Sequence, residues 1–270
     1  MATKVVINGA AGRMGRRITA LLFQDNEMEL AGALEVKGHG ELERDVGILA
    51  GIGAVGIVVK DSLARVERDF DVVVDFSVPT STAEIAPLLA ERRRAVVIGT
   101  TGFSDEQRSS LQKVLAPVAC VMAPNMSVGV NVLFRIAEEV TRILGKGWDV
   151  EILEAHHRLK ADAPSGTALR LAEGVARVQG LNLASQAVYG RQGRPGPRTP
   201  EEIGILAVRA GDIVGEHTVM FGGLGERIEL THRAHTRDNF ACGALRAARW
   251  VVTQAPGFYD MMDVLGLTRP

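Results

Sequence analysis

The sequence predicts an α/β protein: a doubly wound parallel sheet, followed by a smaller α+β domain with an open mixed sheet. Three observations predict it. Short β-branched runs alternate with helically spaced segments over residues 3–122, the pattern of parallel strands joined by helical crossovers. A glycine-rich turn joins the first such run to the first helix. Beyond residue 127 the strand candidates include alternating apolar and polar residues, so one sheet face there meets water.

The elements follow in order. Residues 3–8 are an apolar strand ending in glycine, and residues 12–23 place Met14, Ile18, Leu21 and Leu22 at helical spacing. Residues 28–34 form a second strand closed by Glu35. Residues 70–76 (FDVVVDF) and 95–98 (AVVI) are buried strands. Between them, 79–93 reads as a helix with proline near its start. Residues 104–115 form a helix opened by serine with acids behind it, and 118–122 another strand. A long helix over 128–144 precedes strands at 148–155, 205–209, 216–221 and 227–232, with a helix at 165–178 between the first two. The segment 190–200 (GRQGRPGPRTP) reads as an exposed, mobile loop. A final helix spans 238–252. The glycine-dense stretch 47–56 reads only as a connection between strands.

Composition narrows the function. A net charge of −1 argues against a nucleic-acid binder, which carries a basic excess. The longest uncharged stretch, 47–59, falls short of the roughly 20 residues a membrane span needs. No signal peptide is expected at the start, and Cys120 and Cys242 read as buried thiols in a reducing compartment, so the expected location is cytoplasmic. Glycine accounts for 30 of 270 residues, an excess over the usual share of roughly 7% that marks tight turns and close approaches to ligands.

The first candidate site is Gly9-Ala10-Ala11-Gly12-Arg13-Met14-Gly15, a G-x-x-G-x-x-G variant of the dinucleotide fingerprint. Small residues let backbone approach a pyrophosphate, and the helix start offers free N–H groups. Glu35, at the end of the second strand, is placed for ribose hydroxyls. The domain is therefore read as Rossmann-like. The acid repels a 2′-phosphate and favours NADH; Lys37, two residues on, offers a charge that leaves NADPH as a second cofactor. Gly99, Thr100 and Thr101, and Ala123, Pro124, Asn125 and Met126, follow strand ends where such sheets bind ligands; they are expected to line the nicotinamide end.

The second is the segment EAHHRLKADAPSGTA at 154–168, which leaves a strand and enters a helix. His156, His157 and Lys160 suit acid–base chemistry near neutral pH. The helix start at Ser165, Gly166 and Thr167 suits a carboxylate, so with the clustered cations an anionic substrate is expected. A metal site using His156, His157, His232 and His235 is not expected, because adjacent strand residues face opposite sides. Together with Gly102, the glycines Gly9, Gly12, Gly15, Gly99 and Gly166 are expected where backbone meets a dinucleotide or a carboxylate. A different two-domain reductase, such as an amino-acid dehydrogenase, and a regulator that senses dinucleotide without chemistry are the rival readings.

GAAGRMG at 9–15, GTTG at 99–102, APNMSVGVN at 123–131, EAHHRLKADAPSGTA at 154–168 and RAGDIVGEHTVMF at 209–221 together resemble the dihydrodipicolinate reductase family. The resemblance implies NAD(P)H-dependent reduction of 4-hydroxy-tetrahydrodipicolinate in lysine biosynthesis through diaminopimelate. It implies that His156 is the general acid/base, that Lys160 donates a proton, and that His157, Gly166 and Thr167 hold the substrate, a small dicarboxylate. It also implies a dinucleotide domain over 1–126, a substrate-binding and oligomerisation domain over 127–239, a return of 240–270 to the first domain, and a homotetramer built through the second domain's sheet. Many members carry arginine where this chain has Val36 and Val78, which again favours NADH.

Overall fold

The computed structural model describes residues 2–268; the outermost limits of the expected domains, Met1, Arg269 and Pro270, lie outside them. The chain forms two compact units. One runs through Val128 and resumes at Arg237; the other is Gly129–Thr236.

The first unit opens with β1 (Thr3–Asn8), α1 (Arg13–Leu22), β2 (Met28–Leu34), α2 (Val46–Ala50), β3 (Val59–Lys60), a 3-10 turn at Leu63–Arg65, β4 (Val72–Asp75), α3 (Pro79–Arg92), β5 (Ala95–Ile98), α4 (Asp105–Val114) and β6 (Ala119–Met122). The long α5 (Val128–Leu144) leads into the second unit, with β7 (Asp149–His156), α6 (Gly166–Gln179), α7 (Leu183–Gln186), β8 (Ala187–Val188), β9 (Ile203–Arg209), β10 (Gly215–Gly223) and β11 (Glu226–Ala234). The chain returns as α8 (Asp238–Val251), β12 (Gly257–Tyr259) and α9 (Met261–Val264).

The first sheet has seven strands in the order β12-β6-β5-β4-β1-β2-β3, all parallel. Helices cover both faces, so consecutive residues of the central strands are buried: Val5, Val6 and Ile7 in β1, Val72, Val73 and Val74 in β4. That is why these strands read as unbroken apolar runs. The strand order reverses between β1 and β4, where open parallel sheets bind ligands at the carboxyl ends of their strands. Helix α8 packs against α1, β4, β5 and β6. Its small residues Ala241, Ala244, Ala247 and Ala248 are fully buried, and a Cβ at Gly243 would collide with the Met126 carbonyl, 1.8 Å away. Of the two cysteines expected to be buried, Cys120 is, but Cys242 falls outside the buried face of α8 and is exposed.

The glycine stretch 47–56 has a definite structure. Asp45 caps α2 through the Gly47 and Ile48 N–H groups, then accepts from Val55 and Gly56 on the far side of the loop. One carboxylate thus closes the loop from both sides, while Leu49 and Val55 pack into the core.

The second unit's sheet runs β11-β10-β7-β9-β8. β10 is antiparallel to β11 and β7, while β7, β9 and β8 are parallel. Val150, Ile152, Ile205, Val219 and Phe221 are buried on one face, with α6 packed against β7, β9 and β10. The loop 190–200 is exposed, as expected, and is linked to the sheet by ion pairs: Arg191 pairs with Glu151 and Glu202, and Arg198 with Asp149 and Glu151, donating also to the Val150 and Glu202 carbonyls. The arginines that made the loop look solvated tie it to the sheet.

Candidate active site

In the first unit, the turn after β1 is built by exclusion of side chains. Gly9 adopts φ +80, and a Cβ there would stand 2.4 Å from the Phe76 carbonyl oxygen. A Cβ at Gly15 would stand 2.1 Å from the Gly9 oxygen, so glycine lets α1 begin hard against the turn. Helix α1 opens at Gly12 with no side-chain cap, which leaves its first-turn N–H groups and positive end for an anion. Ala10 and Ala11 are buried, Arg13 is exposed and Met14 half-buried. The buried Glu35 accepts the Ala11 N–H at 3.0 Å and the Val36 N–H at 3.1 Å, which fixes its carboxylate beside the glycine turn. These residues fit a dinucleotide: a cradle any Cβ would fill, an uncapped helix end for a pyrophosphate, and a carboxylate for ribose hydroxyls.

Beneath the neighbouring strand ends lies a buried polar cluster that sequence reasoning missed. Asp75 accepts from Asn8 Nδ2 (3.1 Å), Ser77 Oγ (2.6 Å), Thr82 Oγ1 (2.6 Å) and Thr100 Oγ1 (3.1 Å). Burial raises its pKa despite these donors. Thr100 also accepts the Ser77 N–H at 2.9 Å. Its hydroxyl therefore holds the loops after β4 and β5 together. Gly99 is likewise set by packing: a Cβ would lie 2.3 Å from the Phe76 ring. Thr101 is exposed. After β6, Ala123 and Met126 are buried in the core, so only Pro124, Asn125 and backbone remain available there for a cofactor. Asn125 accepts the Ser127 N–H at 2.9 Å.

In the second unit, β7 delivers His156 at its end. His156 Nδ1 lies 2.6 Å from Glu154 Oε2. Glu154 is 2% exposed and receives Arg209 through both terminal nitrogens, at 2.7 and 2.8 Å, and the Ser165 N–H at 3.0 Å. Burial alone would raise Glu154, but Arg209, His156 and Ser165 outweigh it and hold the carboxyl below its ordinary value. Burial lowers His156, with Lys160 and Arg209 acting the same way and Glu154 opposing. Ser165 caps α6 through the Ala168 N–H, and its Oγ lies 3.1 Å from His217 Nε2. The His217 ring packs edge-on against His156, centroids 5.2 Å apart. Lys160 Nζ is engaged by both oxygens of Asp162, at 2.8 and 2.9 Å. His157 Nδ1 is buried without a hydrogen-bond partner among the described residues.

The structure thus brings His156 and the start of α6, at Ser165, to one carboxylate, while Lys160 is held by Asp162 and acts on His156 through its charge. Gly166 needs no special space, since a Cβ there meets nothing within 4 Å. Sequence reasoning missed Glu154, Arg209 and His217 as site residues. Alternation was the available signal for Glu154: it shares the core face with Val150 and Ile152, where an unpaired acid is not tolerated. Among the described residues no group of three or more His, Cys, Asp or Glu side chains is arranged to hold a metal ion, and no helix is long and apolar enough to cross a membrane.

Comparison with known proteins covers both units. The family model "Dihydrodipicolinate reductase, N-terminus" matches residues 3–126, and "Dihydrodipicolinate reductase, C-terminus" matches 129–265. The chain is 51% identical to the 4-hydroxy-tetrahydrodipicolinate reductase of Syntrophus aciditrophicus (strain SB), over 97% of this chain and 98% of that one. It is also 51% identical to the protein of the same name from Syntrophobacter fumaroxidans (strain DSM 10017 / MPOB), over 98% and 99%. Among solved structures, the dipicolinate-bound dihydrodipicolinate reductase of Paenisporosarcina sp. TG-14 aligns at TM-score 0.75 and 26% identity, covering 97% of this chain and 99% of that one. An amine dehydrogenase from Mycobacterium smegmatis, 14% identical at TM-score 0.59 over 95% and 94%, shares the fold. With both halves matched and half of all residues shared with full-length relatives, the chain belongs to the dihydrodipicolinate reductase family.

Proposed function

We propose that this protein reduces 4-hydroxy-tetrahydrodipicolinate to tetrahydrodipicolinate, with loss of water, in the diaminopimelate route to lysine. The observation that carries the reading is the convergence on Glu154 of His156 and the α6 N-terminus: one buried carboxylate anchors an imidazole and an anion-accepting helix start. A dicarboxylate fits this setting, and the Paenisporosarcina relative is described with dipicolinate bound. Bound NADH supplies the hydride. His156 exchanges a proton at Nε2, Lys160 delivers one from Nζ, where Asp162 places it, and His157, Gly166 and Thr167 hold the carboxylates.

NADH is the proposed cofactor. Glu35, Asp61 and Glu84 line one cavity of about 60 Å³, a rim of carboxylates that disfavours a 2′-phosphate, and Val36 and Val78 are exposed apolar side chains beside this region of sequence. NADPH would bind more weakly, through Lys37. We place the protein in the cytoplasm, with Cys120 and Cys242 as free thiols, as a homotetramer joined through the second unit's sheet; sedimentation velocity checks the assembly.

The test is a coupled assay with enzymatically generated substrate and each cofactor. Lys160→Ala should cut turnover by orders of magnitude and leave NADH affinity little changed. Undiminished turnover removes Lys160 from the mechanism, and a large NADPH preference overturns the cofactor reading.

A further inference from the structure

We infer that Glu154, clamped by Arg209 and the Ser165 N–H, is a positioning residue: it holds His156 with Nδ1–H directed at the carboxylate, so that Nε2 is the atom that takes and gives the proton. The inference rests on the role proposed above for His156 and adds how the imidazole is held.

Hydrogen-bond capacity carries the argument. A carboxylate offers about four lone-pair positions. Oε1 accepts the Ser165 N–H at 3.0 Å and Arg209 Nη2 at 2.7 Å; Oε2 accepts Arg209 Nη1 at 2.8 Å and faces His156 Nδ1 at 2.6 Å. An ionised carboxylate surrounded by three fixed donors has no proton to give. The fourth bond forms only if Nδ1 donates, which leaves Nε2 bare in the neutral ring. Arg209 itself is anchored by donating to the Asp162 and Val208 carbonyls, both at 2.7 Å. The clamp is therefore fixed at both ends, and the edge-on His217 ring limits rotation of the imidazole.

Gly215 keeps the other nitrogen open. A Cβ at that position would stand 3.1 Å from His156 Nε2 and 3.4 Å from Cδ2. Any side chain there would crowd the atom that must meet substrate.

The groups acting on His156 come from four elements: Glu154 on its own strand, Lys160 from the following loop, Arg209 on β9 and the neighbouring His217 on β10. Glu154 raises the His156 pKa, while burial, Lys160 and Arg209 lower it. Removing the Glu154 charge therefore moves the His156 titration to lower pH. A residue with only a structural role would reduce activity without moving it.

The test combines a measurement on the unaltered protein with two variants. Nitrogen-15 NMR of the histidine rings should show His156 as the Nδ1–H tautomer; an Nε2–H tautomer overturns the inference whatever the variants do. Glu154→Gln should lower kcat on the order of 10²-fold or more, as expected when a buried acid that sets a catalytic imidazole's tautomer becomes an amide. The NADH Kd, read by calorimetry, should stay within about twofold, and the acid limb of the kcat/KM profile should shift downward. An unmoved limb with retained kcat overturns the clamp. If Glu154→Gln does not fold, Gly215→Ala decides with the tautomer measurement, and turnover as high as that of the unaltered protein counts against an open Nε2. His156→Ala separates the two readings: turnover surviving it overturns the role of His156, whereas turnover lost there but kept in Glu154→Gln overturns only the positioning.

Discussion

Lowering the pH from 7 to 5 is expected to cost the folded chain about 2 kcal/mol through His217 alone. His217 is 3% exposed, and its Nδ1 has no hydrogen-bond partner among the described residues. Burial is the main reason its pKa falls from 6.5 to about 3; His156, His232 and Lys160 push the same way and Glu154 opposes. The folded value lies below the unfolded one, so the unfolded chain binds the proton first. Stability is complete above pH 6.5 and declines as the pH drops toward 3. At pH 5 the solution is about 1.5 units below the unfolded histidine's pKa while the folded ring is still neutral, and about 1.4 kcal/mol per unit gives the 2 kcal/mol. The assay is urea unfolding of the parent chain and His217→Gln at both pH values. The parent should lose about 2 kcal/mol more than the variant, because glutamine keeps a partner for Ser165 but does not titrate. Equal losses in the two proteins would refute the reasoning and show that His217 is hydrated in the folded state.

Three further expectations concern glycine-bearing turns, two in the first unit and one in the second. Asp45→Ala removes one carboxylate from four N–H groups across the 47–56 loop. A lost cap and unpaired loop donors should cost about 2–3 kcal/mol, seen as a drop in Tm of several degrees. Gly15→Ala pushes a Cβ to 2.1 Å from backbone, whereas Gly166→Ala meets nothing within 4 Å. The first should weaken NADH binding at least tenfold by calorimetry, while the second should fold with an unchanged melting temperature.

What could be read from the sequence follows from where each signal is stored. The first sheet's strands are covered on both faces, so each appears as a local run of β-branched residues, and the fold class follows directly. Strands of two or three residues, such as β3, β8 and β12, leave no periodicity to count. They form because a neighbour offers an edge: β12 exists through its pairing with β6. The ion pairs of the loop 190–200 are invisible in sequence for a related reason. Glycine, proline and arginine describe solvated chain by composition, but Arg191 and Arg198 find Glu151, 40 and 47 residues away.

The same distinction runs through the site. Residues His156 to Thr167 stand close together because a strand end, a loop and a helix start present them in succession, and that density makes them visible. What orients them comes from other strands. Arg209 lies 55 residues from Glu154, and His217 reaches Ser165 across 52. Neither arginine nor histidine looks unusual at those positions in the sequence alone. Glu154 is the exception, because its position can be tested without the fold. In a strand whose alternate residues Val150 and Ile152 face the core, the next residue of that phase is an acid. Burying it alone would cost several kcal/mol, so its presence requires cationic or N–H partners brought by tertiary structure. A charged residue on the apolar phase of a strand, two positions from a candidate catalytic histidine, is therefore itself evidence for a hidden support, although only the folded chain identifies Arg209 and Ser165 as its members.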